Sequence, residues 1–219
     1  LWQEVDEQQF SPEVRHRLLT NGFRAGVVFG QIPVTLAQLL ELEDKPAPQE
    51  GALKSALSTF EAEPTVMRRH IQTRPAQRNE IVTSSIYDSL PVLVYNQGEV
   101  RGQTYRQAQG ILALKTLPEP DGRVRICLTP ELHHEQVRKR WVGRQGMLQM
   151  EASRPRRTFD EMELCATLVP GDMLVLTSLP DHPGSLGHQF FTTTEGEPAR
   201  KLLVVRLAQT QRDGAVQPK

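Results

Sequence analysis

The segment ILALKTLPEPDGRVRICLTPEL, residues 111–132, constrains the fold of this chain more than any other part of its sequence. Its second half alternates apolar residues with polar or smaller ones, which is the period of two expected of a half-buried β-strand. The apolar positions are Val124, Ile126 and Leu128. Asp121 and Gly122 precede this strand and are residue types that a tight turn favours. The segment therefore predicts an antiparallel β-hairpin.

Two later segments extend the β pattern. Residues 158–180, TFDEMELCATLVPGDMLVLTSLP, carry two apolar runs on either side of Pro170, Gly171 and Asp172, so we expect a second hairpin that turns at these three residues. Residues 199–210, ARKLLVVRLAQT, are apolar on both faces, as the central strand of a sheet is. The back of the chain thus predicts a mainly antiparallel β region.

The first 43 residues predict a small βαβα unit. LWQEVD is typical of a short strand, and SPEVRHRLLTNG predicts a helix that begins at Ser11 and Pro12 and ends before Gly22. FRAGVVFGQIP predicts an apolar strand. TLAQLLELE predicts a second helix, in which Thr35 and Gln38 have the spacing of a capping box.

The composition changes between these two parts. The linker-like EDKPAPQEG precedes ALKSALSTFEAE, which predicts a short helix, and together they place a linker at residues 44–64. We therefore predict an α+β fold with an α/β unit at residues 1–43 and a mainly β domain at residues 65–210. Residues 211–219 are predicted to be a disordered tail.

Charge and cysteine content exclude several classes. Lys plus Arg and Asp plus Glu are equal at 26 each, so no overall field attracts nucleic acid or an anionic membrane. No apolar run is long enough for a transmembrane helix. Two cysteines, Cys127 and Cys165, are too few for a disulfide scaffold or a four-cysteine zinc site. They are either packed thiols or, if the strands that carry them pair, one bridge that would indicate an oxidising compartment.

The stretch PGSLGHQFF, residues 183–191, places Ser185 three residues before His188. An esterase elbow requires G-x-S-x-G, whereas the order here is G-S-L-G. Threonines follow, which favours a turn that opens a β-strand, with the serine hydroxyl bonded to nearby backbone. A hydrolase that uses Ser185 and His188 with Asp172 or Asp181 is the less favoured alternative.

His133, His134 and Glu135 raise the question of a metal site. Adjacent histidines on a strand point to opposite faces and cannot both bind one ion without a bulge. No other fixed ligand spacing is present, so a solvated strand end is favoured. We expect no metal and no cofactor.

Basic residues surround Trp141. They are Arg138, Lys139, Arg140, Arg144, Arg154, Arg156 and Arg157. Such a cluster can bind phosphates, with the indole as a stacking surface. Because no nucleic-acid-binding motif accompanies it, a charged strand edge or a contact with another protomer or an anionic partner is favoured.

Four segments, taken in order, resemble the core of the bacterial secretins, the outer-membrane ring proteins of secretion and pilus systems. They are NGFRAGVVFGQIP, ILALKTLPEPDGRVRICLTPEL, RPRRTFDEMELCATLVPGDMLVL and GSLGHQFFTTTEGEPARKLLVVRL. The family pattern includes G-x-x-I-P, a hairpin with D-G-x-V and L-x-I-x-P-E, and L-G-x-L-F before a terminal apolar strand. The resemblance implies that the following residues form turns and core: Gly30, Pro33, Asp121, Gly122, Gly171, Gly184, Leu186, Gly187 and Phe190.

The resemblance also implies a role. It predicts a non-enzymatic envelope protein, in the periplasm or at the outer membrane, that self-associates through sheet edges or binds other envelope proteins. The sequence shows no amphipathic lip hairpin, which argues against membrane insertion. A periplasmic binding or scaffolding module that forms no pore is the alternative.

Overall fold

A computed structural model describes residues 1–41, 66–144, 147–193 and 199–210, without the side chains of residues 41, 138–149, 151 and 152. This part of the chain folds mainly into antiparallel β-sheets with a few short helices, so the predicted α+β class is confirmed. The helices are α1 (Pro12–Thr20), α2 (Val34–Glu41) and α3 (Leu186–Phe191). A short 3-10 helix spans Asp160–Met162. The predicted linker, residues 44–64, and the predicted tail, residues 211–219, lie outside the described residues.

The strands form two main sheets. The first strands along the chain are β1 (Phe23–Val28), β2 (Asn79–Val82), β3 (Tyr87–Asn96), β4 (Glu99–Pro118), β5 (Val124–His133), β6 (Arg138–Arg144) and β7 (Met147–Ser153). The later strands are β8 (Arg156–Thr158), β9 (Leu164–Leu168), β10 (Met173–Ser178), β11 (Thr192–Thr193), β12 (Ala199–Arg200) and β13 (Leu202–Arg206). The small sheet has the order β1-β10-β13, and the large sheet has the order β2-β4-β5-β8, with β3 on β4 and β9 on β5. β6 pairs with β7, and β11 pairs with β12.

The hairpin predicted at residues 111–132 is confirmed. β4 and β5 pair antiparallel from Gln109 opposite His133 to Pro118 opposite Val124. Gly122 in the connecting turn has a φ of 90°, a left-handed conformation that glycine adopts without steric cost. The alternating residues of β5 that the sequence placed on one face are buried in the main core.

The second predicted hairpin is wrong in its pairing. The chain does turn at Gly171, but β9 pairs with β5 in the large sheet, whereas β10 pairs with β1 and β13 in the small sheet. All six residues of β10 are buried, so this strand needs neighbours along both edges and cover on both faces. The turn therefore carries the chain from one sheet to the other.

The position predicted for β13 is also wrong. β10 is the central strand of the small sheet, and β13 lies at its edge. Its residues Leu202 to Val205 are half-buried rather than fully buried. An apolar pattern on both faces indicates that both faces of a strand are covered. It does not indicate whether a neighbouring strand pairs with each of its two edges.

The N-terminal elements agree in part with the prediction. α1 is capped by Ser11, whose hydroxyl accepts a hydrogen bond from Val14 N. LWQEVD is not a strand; Asp6 alone forms a bridge, to Val27. The capping box at Thr35 is wrong because α2 begins at Val34, directly after Pro33, whose carbonyl accepts the hydrogen bond from Ala37 N.

One core joins the front and the back of the chain. Phe23 of β1 packs edge-to-face on Phe190 and Phe191 of α3, with ring centroids 5.7 and 6.2 Å apart. The same core includes Leu112 and Leu128 of the large sheet. The predicted linker at residues 44–64 therefore separates neither two sheets nor two cores.

Candidate functional site

The outer edge of β13 is the candidate site, and we call it the open edge. Leu207 N donates to Asp172 O at 3.1 Å, which sets the phase of the ladder between β13 and β10. In an antiparallel pair, alternate residues direct their N–H and C=O groups toward the partner. Leu203 and Val205 thus face β10, whereas the backbone groups of the three other β13 residues face away. Among the described residues, no strand pairs with that side.

The side chains of β13 are apolar on both faces. Leu203 and Val205 pack against the main core. Leu202 and Val204 pack against a second apolar cluster, which includes Leu36 of α2. All four β13 residues remain half-buried, so the chain covers both faces only in part. A strand added at this edge would extend both apolar surfaces.

Positive charge flanks the open edge. Arg200 and Lys201 precede β13 and Arg206 ends it, while residues 199–210 contain no acid. Arg200 and Arg206 are exposed, and Lys201 Nζ donates to Thr83 O at 3.3 Å. The edge therefore presents apolar residues between cationic ends.

The edge of β3 is closed by the chain itself. Asn21, which is 1% exposed, donates through Nδ2 to Tyr95 O at 3.0 Å and accepts from Tyr95 N at 2.8 Å. Gly184 O accepts from Leu93 N at 2.8 Å, and Gln189 Nε2 donates to Pro91 O at 2.7 Å. The Asn21 carboxamide supplies one donor and one acceptor, as a neighbouring peptide unit would. These groups occupy the places that a further strand would need.

Ser185 bonds to the backbone of His188, and Nδ1 of the His188 ring has no hydrogen-bond partner among the described residues. Ser185 caps α3, and its Oγ accepts from the backbone N of His188 at 3.2 Å. A strand that starts directly after this turn is wrong, because residues 186–191 form α3, with Leu186 and Phe190 fully buried on one helix face; the strand β11 begins at Thr192. Asp172 cannot complete a triad here, since its carboxylate accepts from Gly30 N and Val169 N.

The residues singled out as turns and core have the following positions. Gly30, Gly122, Gly171 and Gly184 all have positive φ values, Asp121 lies in the β4–β5 turn, and Pro33, Leu186, Gly187 and Phe190 are buried. Gly187 has a specific packing reason. Its N donates to Asn21 O, and a Cβ on it would lie 2.2 Å from Gly22 O. Glycine here lets α3 approach the start of β1.

The basic cluster is spread over separate elements. Arg138, Lys139, Arg140, Trp141 and Arg144 lie on β6, where side chains are outside the described set. Arg154 donates to Glu135 O and Gln107 O. Arg157 lies over the ring of Phe159, 5.7 Å from its centroid. A contact of this cluster with a protomer or anionic partner stays a prediction.

A buried ion cluster that the sequence did not reveal lies on the large sheet. Glu131, 4% exposed, accepts from Arg78 at 2.5 Å and lies 3.1 Å from His133 Nε2. Burial alone would raise the pKa of Glu131, but the hydrogen bonds from His133 and Arg78 and the charges of Arg78 and Arg156 lower it below its usual range. His134 instead lies 3.7 Å from Glu135, so the two histidines meet different acids.

Cys127 and Cys165 form a disulfide between β5 and β9, where the two residues are direct cross-strand partners. Of the two alternatives that the sequence left open, packed thiols or a bridge, the structure has the bridge. A carboxylate oxygen of Glu163 lies within 4.8 Å of both sulfurs. Because the sulfurs are bonded to each other, they are not available as thiolate ligands for a metal.

Sequence reasoning missed Asn21 and the open edge. Asn21 resembled an ordinary residue at the end of a helix, and its partner Tyr95 is 74 positions away. Within the described ranges, no helix is long and apolar enough to cross a membrane. Comparisons with protein-family models, with curated proteins and with solved structures find no match for this chain.

Proposed function

We propose that the chain is a non-enzymatic, secretin-like structural or assembly component of a bacterial envelope complex, of the secretion or pilus type. The open edge of β13 carries the proposal. Unpaired backbone groups beside half-buried apolar residues favour the addition of a strand. In this role the chain binds a partner by extending its small sheet.

Two further features support an envelope location and a binding role. The bridge between Cys127 and Cys165 suits an oxidising compartment such as the periplasm. The Ser185 hydroxyl is engaged in capping α3, which favours a binding role over hydrolysis. The order of the four secretin-like segments supplies the family analogy.

Amide exchange and peptide binding test the proposal together. In the free protein, the amides of Val204 and Arg206 exchange quickly and those of Leu203 and Val205 slowly, because only the latter face β10. A short apolar peptide of valine and isoleucine slows exchange at Val204 and Arg206. Val204→Pro removes the outward N–H and abolishes peptide binding. Val204→Thr keeps this N–H and still binds the peptide. Unchanged exchange with every apolar peptide would overturn the proposed function.

A pore-free scaffold is the second form of this proposal. It is favoured by the closed edge of β3 and by the bridge of Asp6 to Val27 on β1, because a ring closed by strand pairing needs two complementary edges on each protomer. Light scattering over a concentration series and electron microscopy separate the forms. A concentration-independent monomer supports the scaffold, and rings support a pore component.

A further inference from the structure

We propose that the open edge selects an acidic partner: an extended segment of another protein, apolar in its middle and carrying Asp or Glu at its ends. This inference rests on the proposed function, since it names the chemistry of the strand that β13 binds. It adds the sign of the charge and excludes a second copy of this chain as the occupant.

Backbone geometry requires the occupant to be extended. Leu202, Val204 and Arg206 present their N–H and C=O groups at the spacing of alternate strand residues. A helix satisfies its own backbone groups internally and offers nothing to this row. A strand satisfies each of these groups in turn.

The half-buried side chains require an apolar middle. An added strand places its own alternate side chains beside Leu202 and Val204 on one face and beside Leu203 and Val205 on the other. These neighbours are partly covered residues of the two apolar clusters. Apolar residues in the partner extend both clusters, whereas polar ones would lose water without gaining hydrogen bonds.

The flanking cations require acids at the ends of the partner. Arg200 and Lys201 lie at one end of the edge and Arg206 at the other, with no acid anywhere in residues 199–210. Opposite charges across adjacent strands attract and like charges repel. Arg200 and Arg206 are exposed residues, and a guanidinium forms strong paired hydrogen bonds with a carboxylate of an incoming strand.

The same charges disfavour a second copy. In an antiparallel pair of two β13 strands centred on Val204, Arg206 of one copy lies opposite Leu202 of the other and diagonal to its Arg200. Diagonal neighbours on one face remain within reach of long side chains. Such a pair would bring together two strands that each carry Arg200, Lys201 and Arg206 and no acid within residues 199–210. A partner strand with acidic ends avoids this repulsion.

The test uses the full chain with its disulfide and three peptides that share one apolar core of valine and isoleucine. Their ends carry Glu, Gln or Lys. By fluorescence anisotropy at low salt, we expect the Glu peptide to bind about tenfold more tightly than the Gln peptide, and the Lys peptide to bind least. Added salt reduces the differences in affinity among the three peptides because it screens exposed charges.

Charge reversal provides the decisive comparison. The variant R200E/K201E/R206E inverts the order of the three peptides, and R206E alone, at an exposed position, weakens the Glu peptide if the triple variant does not fold. Arg101→Glu, an exposed arginine on β4, leaves the order unchanged and serves as the matched control.

The outcomes separate this inference from the proposed function. If all three peptides bind equally and Val204→Pro abolishes binding of each, the acidic preference is overturned while the proposed function stands. If no peptide binds, both fall. If light scattering shows a dimer that Val204→Pro dissociates, a second copy occupies the edge and the inference is wrong.

Discussion

The edges of β3 and β13 differ in whether other groups of the chain bond to their outward backbone atoms. At β3, backbone groups from Pro91 to Tyr95 are occupied by Asn21, Gly184 and Gln189. On the outer side of β13, no described strand is paired, and within residues 199–210 the charged residues are Arg200, Lys201 and Arg206. An edge with unsatisfied backbone groups favours pairing, so the contrast between these two edges supports the proposal that the outer side of β13 binds a partner strand.

The disulfide gives the largest expected effect, because it secures the large sheet that carries the closed edge. Replacing both Cys127 and Cys165 with Ala lowers the free energy of unfolding by about 4 kcal/mol, since the bridge closes a loop with a sequence separation of 38. Urea denaturation measures the change. Binding at β13 of the folded variant is expected to remain, because the bridge lies in the other sheet.

Reductant supplies the control for this prediction. The chain has two cysteines in all, so dithiothreitol destabilises the wild type by the same amount and leaves the alanine variant unchanged. Equal stability of the wild type with and without reductant would show that the bridge does not stabilise the fold.

Asn21→Ala breaks the closed edge of β3. It removes three hydrogen bonds, to Arg17 O and to the N and O of Tyr95, and leaves the backbone groups of Tyr95 without these partners. We expect a loss of about 3 kcal/mol, because unsatisfied groups cost more than a hydrogen bond contributes. Gln189→Ala removes one bond from the same edge and should cost about 1 kcal/mol. Similar losses in the two variants would contradict the role assigned to Asn21.

Arg78→Met tests the ion cluster that links the segment before β2 to β5. The wild-type cluster holds the pKa of Glu131 below its ordinary value, so its contribution to stability is present above about pH 4.3 and is lost as the pH falls through the lower folded-state pKa. At neutral pH the variant should lose about 2 kcal/mol, since the buried carboxylate loses a charged hydrogen-bond partner.

Denaturation at neutral and acidic pH measures this prediction. The difference between the wild type and Arg78→Met is expected to shrink at low pH, where Glu131 is protonated in both. Arg123→Met, whose partners Glu119 and Asp121 are more exposed, serves as the control and should change stability little. If the stability difference between the wild type and Arg78→Met did not depend on pH, Arg78 would not stabilise the fold through the charge of Glu131.

The sequence predicted local structure better than it predicted which strands pair. Alternation in β5 and the residues of its turn identified the β4–β5 hairpin, because both signals lie within about 20 neighbouring residues. The same reasoning failed for β9 and β10, where the turn was found and the partners were not. Strand alternation is equally compatible with pairing to a neighbour in sequence or to the distant β1.

For the candidate site, too, the sequence predicted local features but not the pairing of distant strands. The apolar residues of β13 were recognised, but their position at an edge depends on the order of three strands that are far apart in sequence. In the stretch after Gly184, the helix was missed although Ser185 is a favoured cap residue and Leu186 and Phe190 have helical spacing. Two of the threonines that suggested a strand, Thr192 and Thr193, form β11, and the third lies outside the described residues.

Val204→Pro has the smallest expected effect on stability and bears most directly on the two edges. The N–H of Val204 faces away from β10, so proline removes no hydrogen bond of the small sheet and should cost about 1 kcal/mol, from backbone restriction and altered packing. Val205→Pro, one residue later, removes an N–H that faces β10 and should cost about 3 kcal/mol or more. Thermal unfolding of the two variants therefore shows which N–H groups of β13 face β10, and it requires no partner. Equal losses at both positions would mean that both N–H groups are bonded within the chain, and β13 would then be a closed edge like β3.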